Sequence, residues 1–283
     1  MSVVLGGCSV YRTYKRPDVA VIDSLYRQQI SPADSVASIA DLSWKELFTD
    51  PHLQKLIETG LCNNSDLGIA RLRAEEAEAL LQSARLSYLP SISLSPQGTI
   101  GKVEHSKTTK SYDLATSASW EIDIFGKLTN TKREARVVLE QSEAYRQAVQ
   151  TQLIATIANS YYTLLMLDEQ LNISRRTARN WSENLRVMKA LKNAGQTTDM
   201  AVAQTEASKL SVDASLLSLE RQITELENTL LSLLGSVPGD ITRSTLSSQS
   251  FPDTLLVGVP LQLLQRRPDV RQSEAVLAAA FYV

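Results

Sequence analysis

The sequence contains few of the residues that build disulfides, metal sites or aromatic cores. It has two cysteines and two histidines, and aromatic side chains make up 6% of its 283 residues. Two distant cysteines give no disulfide framework. Neither His52 nor His105 stands at ligand spacing from another histidine, a cysteine or a carboxylate cluster. The sequence therefore predicts no metal and no cofactor.

Charge and hydropathy exclude further classes of protein. The 29 Lys and Arg residues nearly balance the 31 Asp and Glu residues, for a net charge of −2. No basic field therefore points to a nucleic acid partner. No run of about 18 apolar residues predicts a transmembrane helix. The sequence also lacks a phosphate-binding glycine loop and any constellation of catalytic side chains, so we expect no enzyme activity.

Long stretches rich in Leu, Ala, Ser, Gln and Glu are typical of extended helices and coiled coils. A first helix is predicted over 51–88. Thr49 and Asp50 are candidates for its cap, and Pro51 suits its first turn. Leu89-Pro90 ends it, because proline disfavours helix at the preceding residue.

Two longer helices, about 129–193 and about 200–234, are predicted to form a hairpin. Their apolar residues recur at the spacing of coiled coils. The seam of the first helix is formed by Ile154, Ile157, Tyr161, Leu164, Leu171, Ala178, Trp181, Leu185 and Met188, with Asp168 and Arg175 in two of its positions. The second helix carries two seams, which suits packing on both sides. The turn between the helices consists of Gly195, Gln196, Thr197, Thr198 and Asp199.

Between the helices predicted over 51–88 and about 129–193, apolar and polar residues alternate, which is the pattern of β-strands. Weak strands are predicted over 91–95 and 99–104, followed by a polar loop over 105–111. The clearest strand covers 112–124 and has an apolar face that includes Tyr112, Trp120 and Ile122. Its other face is small and acidic and includes Asp113, Glu121 and Asp123. Such alternation is typical of transmembrane β-strands. A surface hairpin of a soluble sheet is the alternative, although the chain offers no sheet for it to join.

The residues around Cys8 match a lipoprotein processing site, with an apolar residue at −3 and small residues at −2 and −1. Acylation of Cys8 would anchor the chain to a membrane. The alternative is a small-residue turn with a buried thiol. We interpret residues 1–7 as the remnant of a signal peptide and residues 8–50 as a tether. Cys62 is then a lone thiol, expected to be buried.

Four sequence runs carry a resemblance to a known family. They are Tyr88-Leu89-Pro90-Ser91-Ile92, the run from Trp120 to Lys127, Leu233-Leu234-Gly235 with Pro238-Gly239, and Gly258-Val259-Pro260 with the run from Leu263 to Val270. With this order of elements, the chain from Cys8 onward resembles the first structural repeat of the TolC family, in its OprM-like branch of outer-membrane efflux lipoproteins. The segment 64–67 also aligns with 267–270, 203 positions later, so we expect a second repeat to begin near 263.

The fold class that these patterns and the resemblance predict is mainly α with a β-hairpin. A tunnel helix is expected over 51–90 and a transmembrane β-hairpin over 91–126. A long periplasmic helical hairpin follows over 127–235. An equatorial connection over 236–262 and a truncated second repeat over 263–283 complete the predicted organisation.

The resemblance implies a passive efflux duct in the outer membrane that exports drugs or other small molecules from the cell. It implies a homotrimer with a shared β-barrel, anchored to lipid through Cys8, which meets a periplasmic adaptor directly and an inner-membrane pump indirectly. Tyr112, Trp120 and Ile122 would face lipid, and Asp113, Glu121 and Asp123 would face the lumen. The adaptor would dock at a periplasmic tip formed by Gly195, Gln196, Thr197 and Asp199.

Two alternatives stay open at this point. The chain could be a peripheral coiled-coil scaffold lipoprotein, or the outer-membrane duct of a secretion or metal-efflux system.

Unpaired strand edges in lipid cost several kcal/mol for each backbone group. We therefore expect that a fragment with only two strands does not work as a channel alone.

Overall fold

The computed structural model describes residues 12–16, 43–101, 108–250 and 266–282. Within these ranges the fold is mainly helical with one two-stranded sheet. The elements in chain order are α1 (Trp44–Leu47), α2 (Pro51–Asn63), α3 (Ser65–Leu86), β1 (Ser91–Gly101), β2 (Thr109–Ser119), α4 (Lys127–Asn193), α5 (Asp199–Leu233) and α6 (Pro268–Tyr282). None of the helices in the described ranges is long and apolar enough to cross a membrane.

The helix predicted over 51–88 is two helices, α2 and α3. Its start is as expected, because the Asp50 carboxylate accepts a hydrogen bond from the His52 amide (2.9 Å) and Pro51 follows at the first position. The chain breaks at Asn64, which is extended. The Asn64 side chain accepts a hydrogen bond from the Leu67 amide and donates one to the Leu233 carbonyl, both at 2.9 Å. This one polar side chain ends α2 and caps α3.

The two long helices α4 and α5 lie within two residues of the predicted bounds. Gly195 has a φ of 72°, the left-handed conformation expected of a residue that ends a helix. Its amide donates to the Lys192 carbonyl, and the Gln196 amide donates to the Leu191 carbonyl, both at 2.9 Å. The Thr198 hydroxyl then accepts from the Ala201 amide and caps α5. The predicted turn is confirmed.

The chain divides into two compact units. The described residues of the first unit are 12–16, 70–101, 108–147 and 266–282, and those of the second are 43–69 and 148–250. The second unit contains an apolar core built from α2, the start of α3, α4, α5 and the segment that follows α5. Its fully buried side chains include Leu53, Ile57, Leu67, Ile157, Tyr161, Leu164, Leu165, Leu230 and Leu234. The seam predicted for α4 supplies Ile157, Tyr161 and Leu164 of this core.

In the first unit, small side chains such as Ala77 of α3 and Ala144 of α4 are buried, and Arg73 of α3 lies over the ring of Tyr145 on α4. The helix α6 starts 203 positions after α3, at the offset of the predicted repeat. Residues 12–16, which fall in the predicted tether, contact α6 through an ion pair between Arg16 and Glu274 (2.5 Å). Within the same predicted tether, α1 is a short helix with a capping box at Ser43.

Gly60 lies where α2 packs closely against α4 and the end of α5. A Cβ atom at this position would lie 2.6 Å from Cδ1 of the buried Ile157 and 3.1 Å from Cδ2 of Leu234. A larger side chain would overpack the core. We predict that Gly60→Val lowers the free energy of unfolding by about 1–3 kcal/mol, measured by denaturant unfolding followed by circular dichroism.

Gly68→Val is the matched control, since a Cβ atom at Gly68 meets no atom within 4 Å. This helical glycine should tolerate valine without loss of stability, because valine has the higher helix propensity. Equal destabilisation by both substitutions would contradict the close packing at Gly60.

Candidate functional site

The β-hairpin is a regular antiparallel pair. Ser91 lies opposite Ser119 at one end and Gly101 opposite Thr109 at the other, with no bulge between them. Each strand is 11 residues long. The segments predicted as two weak strands, 91–95 and 99–104, thus belong to β1 as far as Gly101. A tilted strand of about 9–11 residues is long enough to cross the hydrocarbon of a bilayer.

The register sorts the side chains of the hairpin into two chemically different faces, because residues opposite each other share a face. One face is mostly apolar and consists of Ile92, Leu94, Pro96, Gly98 and Ile100 with Lys110, Tyr112, Leu114, Thr116 and Ala118. The other face is small and polar and consists of Ser91, Ser93, Ser95, Gln97, Thr99 and Gly101 with Thr109, Ser111, Asp113, Ala115, Ser117 and Ser119.

Both faces of the hairpin are exposed in the chain by itself. On the apolar face, Ile92 is 74% exposed, Tyr112 77% and Leu114 71%. On the polar face, hydroxyl pairs bridge the two strands, with 2.7 Å between Oγ of Ser93 and Oγ of Ser117. An apolar face of this extent is stable only when something other than water covers it.

The prediction that the second strand continues to Ile124 is wrong. The strand β2 ends at Ser119, and the Trp120 indole donates to the carbonyl of Tyr88 (3.1 Å). The Asp123 carboxylate accepts hydrogen bonds from the Leu128 and Thr129 amides, both at 2.9 Å. Asp123 therefore caps the start of α4 rather than lying on a strand.

This end of β2 changes the basis of four site predictions. Tyr112 and Asp113 lie on opposite faces of β2, as the alternation predicts. Four predicted residues lie beyond the end of β2, so strand alternation no longer assigns them to a face: Trp120, Glu121, Ile122 and Asp123. Glu121 forms an exposed ion pair with Lys127 (2.8 Å). Which of these side chains meet lipid or a lumen stays a prediction.

The turn between α4 and α5 presents polar groups to solvent. Gly195, Gln196 and Asp199 are exposed, and Thr197 is half-buried. The Asp199 carboxylate forms an ion pair with Lys192 across the turn. The arrangement offers backbone and side-chain hydrogen-bonding groups to a partner, and the predicted docking role of this turn stays a prediction.

Two buried polar clusters lie in the second unit. In the first cluster the Tyr161 hydroxyl, on a side chain that is 0% exposed, donates to the Asp50 carboxylate (2.6 Å) and accepts from the Ser244 amide (3.1 Å). Gln249 donates a further hydrogen bond to Asp50 (2.8 Å). Burial alone would raise the pKa of Asp50, but the hydrogen bonds from Tyr161, Gln249 and the His52 amide outweigh it, so that the pKa lies below its ordinary value.

In the second cluster, Arg243 joins the two long helices. Its guanidinium binds both carboxylate oxygens of Asp168 on α4, at 2.5 and 2.8 Å, and also binds Glu227 on α5. Glu227 is buried, and the Arg243 side chain is 15% exposed. The sequence pattern missed this cluster. Its only signal was Asp168, a carboxylate in a seam of otherwise apolar residues.

The remaining predicted residues have separate outcomes. Cys62 was expected to be buried and is exposed, because it lies on the solvent side of α2. His52 is half-buried, and Cys8 and His105 lie outside the described residues. Among the described residues, no group of three or more His, Cys, Asp or Glu side chains is placed to hold a metal ion.

Comparison with known proteins decides the family. Residues 56–236, which include most of α2, the β-hairpin and both long helices, match the family model described as outer membrane efflux protein. The chain belongs to the outer membrane efflux protein family. The predicted fold class, a TolC-like helical hairpin with β-strands, is thereby confirmed.

Individual members of the outer membrane efflux protein family match nearly the whole chain. TtgC of Pseudomonas putida, a toluene efflux pump outer membrane protein, is 27% identical over 98% of this chain and 60% of its own length. SilC of Salmonella typhimurium, a probable outer membrane lipoprotein, is 31% identical over 98% of this chain and 61% of its own.

A solved structure of a channel agrees with these matches. The open-state structure of the outer membrane channel MtrE of Neisseria gonorrhoeae matches with a TM-score of 0.78 at 27% identity, over 97% of this chain and 62% of MtrE. The present chain thus spans about 60% of the length of the relatives that it matches.

The buried hydroxyl of Tyr161 predicts a pH dependence of stability. Burial and the hydrogen bond to Asp50 raise the pKa of Tyr161 to about 12, from an ordinary value of 10.0. As the pH rises above about 10, the unfolded chain loses this proton before the folded chain does, so alkali favours unfolding. Between pH 10 and 12 the free energy of unfolding should fall by up to about 2 kcal/mol more in the wild type than in Tyr161→Phe.

Denaturant titrations across this pH range measure the difference. The exposed Tyr112→Phe is the control and should follow the wild type. Parallel pH curves for the wild type and Tyr161→Phe would contradict the assigned environment of Tyr161.

Proposed function

We propose that this chain forms part of the exit duct of a tripartite efflux system in the outer membrane. The observation that carries the proposal is the β-hairpin, with one apolar and one polar face, both exposed in the chain by itself. Membership of the outer membrane efflux protein family supports the same role.

The two faces of the hairpin suit lipid on one side and water on the other. Burial of a large aliphatic or aromatic side chain is worth about 1.5–3 kcal/mol, so lipid against Ile92, Leu94, Tyr112 and Leu114 would stabilise the inserted state. The serine-rich face would line an aqueous lumen. Asp113 on that face would bias the lumen against anions.

The hairpin requires further strands in lipid. In β1 and β2 the outer edges have backbone groups that the hairpin itself does not pair, and such groups cost several kcal/mol each in hydrocarbon. Strands from other copies and from a second repeat would satisfy them. A homotrimer with a shared barrel, as the family resemblance implies, meets this requirement, whereas the two strands described here do not meet it alone.

The long helices would form the periplasmic part of the duct. The exposed turn at Gly195–Asp199 would meet a periplasmic adaptor, through which an inner-membrane pump supplies the energy. The duct would be passive and would catalyse no reaction. Acylation of Cys8 would add a lipid anchor, and the match to a probable outer membrane lipoprotein supports this assignment.

We propose small molecules as the exported class, because one matched relative is named for toluene efflux. A metal-efflux or secretion duct would use the same architecture, because the pump chooses the cargo. The competing hypothesis from another class is a peripheral coiled-coil scaffold, in which the hairpin never enters lipid.

A pair of adjacent lysine substitutions separates the duct from the scaffold. Leu114 lies at the middle of β2 on the apolar face, and the next residue, Ala115, lies on the polar face. A lysine facing lipid at the bilayer midplane costs about 2–4 kcal/mol. We predict that Leu114→Lys reduces the vesicle-bound fraction of purified, non-acylated chain at least about tenfold, while Ala115→Lys leaves it unchanged.

The measurement is flotation with phospholipid vesicles after a high-salt wash. The omitted acyl chain leaves the hairpin as the attachment to lipid. The chain is added at a concentration at which several copies can pair their outer strand edges, because a single hairpin leaves those edges unpaired. Release of the wild type by salt, or equal binding of both variants, would contradict membrane insertion and favour the scaffold.

A further inference from the structure

The polar clusters of the second unit bind one irregular segment to the helices. Residues 239–249 follow α5 and contribute Ile241, Arg243, Ser244 and Gln249 to these contacts. Their partners belong to three helices, since Asp50 caps α2, Tyr161 and Asp168 lie on α4, and Glu227 lies on α5. We call residues 239–249 the latch segment.

The contacts of the latch segment are concentrated at one part of the α4–α5 hairpin. We define the base half as residues 153–171 of α4 with 223–233 of α5, and the tip half as residues 172–193 with 199–222. The base half has eleven buried residues: Leu153, Ile157, Ala158, Tyr161, Leu164, Leu165, Leu167, Leu171, Ile223, Glu227 and Leu230, and Leu234 extends the set. In the tip half only Leu185, Val202 and Thr205 are buried.

The ion pairs of the tip half are also more exposed to solvent than those of the base half. The tip half is held by pairs such as Arg175 with Glu220 and Lys189 with Glu206, whose side chains are about half exposed. Exposed pairs of this kind contribute little to stability. In the base half, Arg243 is 15% exposed and Glu227 11%, and the guanidinium also binds both oxygens of Asp168, whose side chain is 38% exposed. Removal of one partner from a buried group of charges is strongly destabilising.

We propose that the latch segment clamps the base half of the α4–α5 hairpin closed, and that the tip half opens as a separate cooperative unit. Arg243 is the residue on which the clamp depends, because its guanidinium binds a carboxylate of α4 and a carboxylate of α5 in the base half. Long helices depend on tertiary packing for most of their stability, so a hairpin with such uneven packing opens first where the packing is thin.

The proposal concerns residues 148–250 and does not require the β-hairpin to enter lipid.

Amide hydrogen exchange of the full chain, read by mass spectrometry, tests the proposal. In the wild type, amides of 176–190 and 203–218 should exchange at least about tenfold faster than those of 157–168 and 224–230. Arg243→Met should accelerate exchange of the base half at least about tenfold, to the rate of the tip half. Arg175→Met is the matched control, since it removes an exposed pair on α4 and should leave exchange of the base half unchanged.

A milder variant covers the case in which Arg243→Met does not fold. Asp168→Asn keeps the contact between Arg243 and Glu227 and should accelerate exchange in the base half while the amides of α3 stay protected. Uniform protection along α4 in the wild type would overturn the proposal, as would equal exchange of Arg175→Met and Arg243→Met. A hairpin that fails to bind vesicles but shows this exchange pattern would overturn the proposed function and leave the clamp intact.

Discussion

The alternation of side chains along β1 and β2 requires two different solvents, and the proposed role of the chain depends on this constraint. The backbone register places Leu94 and Leu114 on one face and Ser93 and Ser117 on the other. A soluble protein would bury the first face against its own core, but both faces are exposed here. Lipid on one side and water on the other satisfies both faces, and the strand length suits a bilayer. The outer-membrane assignment of the family agrees with this requirement.

The long helices have a different requirement, because in water their apolar side chains must be buried against other parts of the protein. In the second unit, α4 and α5 do so through a continuous core near Tyr161 and Leu230, where buried polar groups are also satisfied. Toward the Gly195 turn the core thins, and exposed ion pairs replace it. The same pair of helices therefore combines a firmly packed region with a weakly packed one. Such a gradient of local stability is what a structure needs when only part of it moves.

Features with a local cause were predictable from the sequence. The long helices follow from their period, and the Gly195 turn follows from its φ requirement and the Thr198 cap. Features with a distant cause were not predictable. The contact of the Asn64 side chain with the Leu233 carbonyl, 169 positions away, follows from no local pattern. The clamp at Arg243 depends on Asp168, 75 positions away and reached through an irregular segment.

The end of β2 shows how two local signals compete. Alternating hydrophobicity continues through Ile124, yet the Asp123 carboxylate gains two amide hydrogen bonds by capping α4.

The central claim is that the hairpin enters the membrane with its apolar face toward lipid. Its most direct test is spin-label accessibility at each position from 110 to 118 in lipid vesicles. Oxygen, which concentrates in the hydrocarbon, should reach Tyr112 and Leu114 best, and a water-soluble nickel complex should reach Asp113 and Ala115 best. Free access of nickel at all positions would contradict membrane insertion of the hairpin.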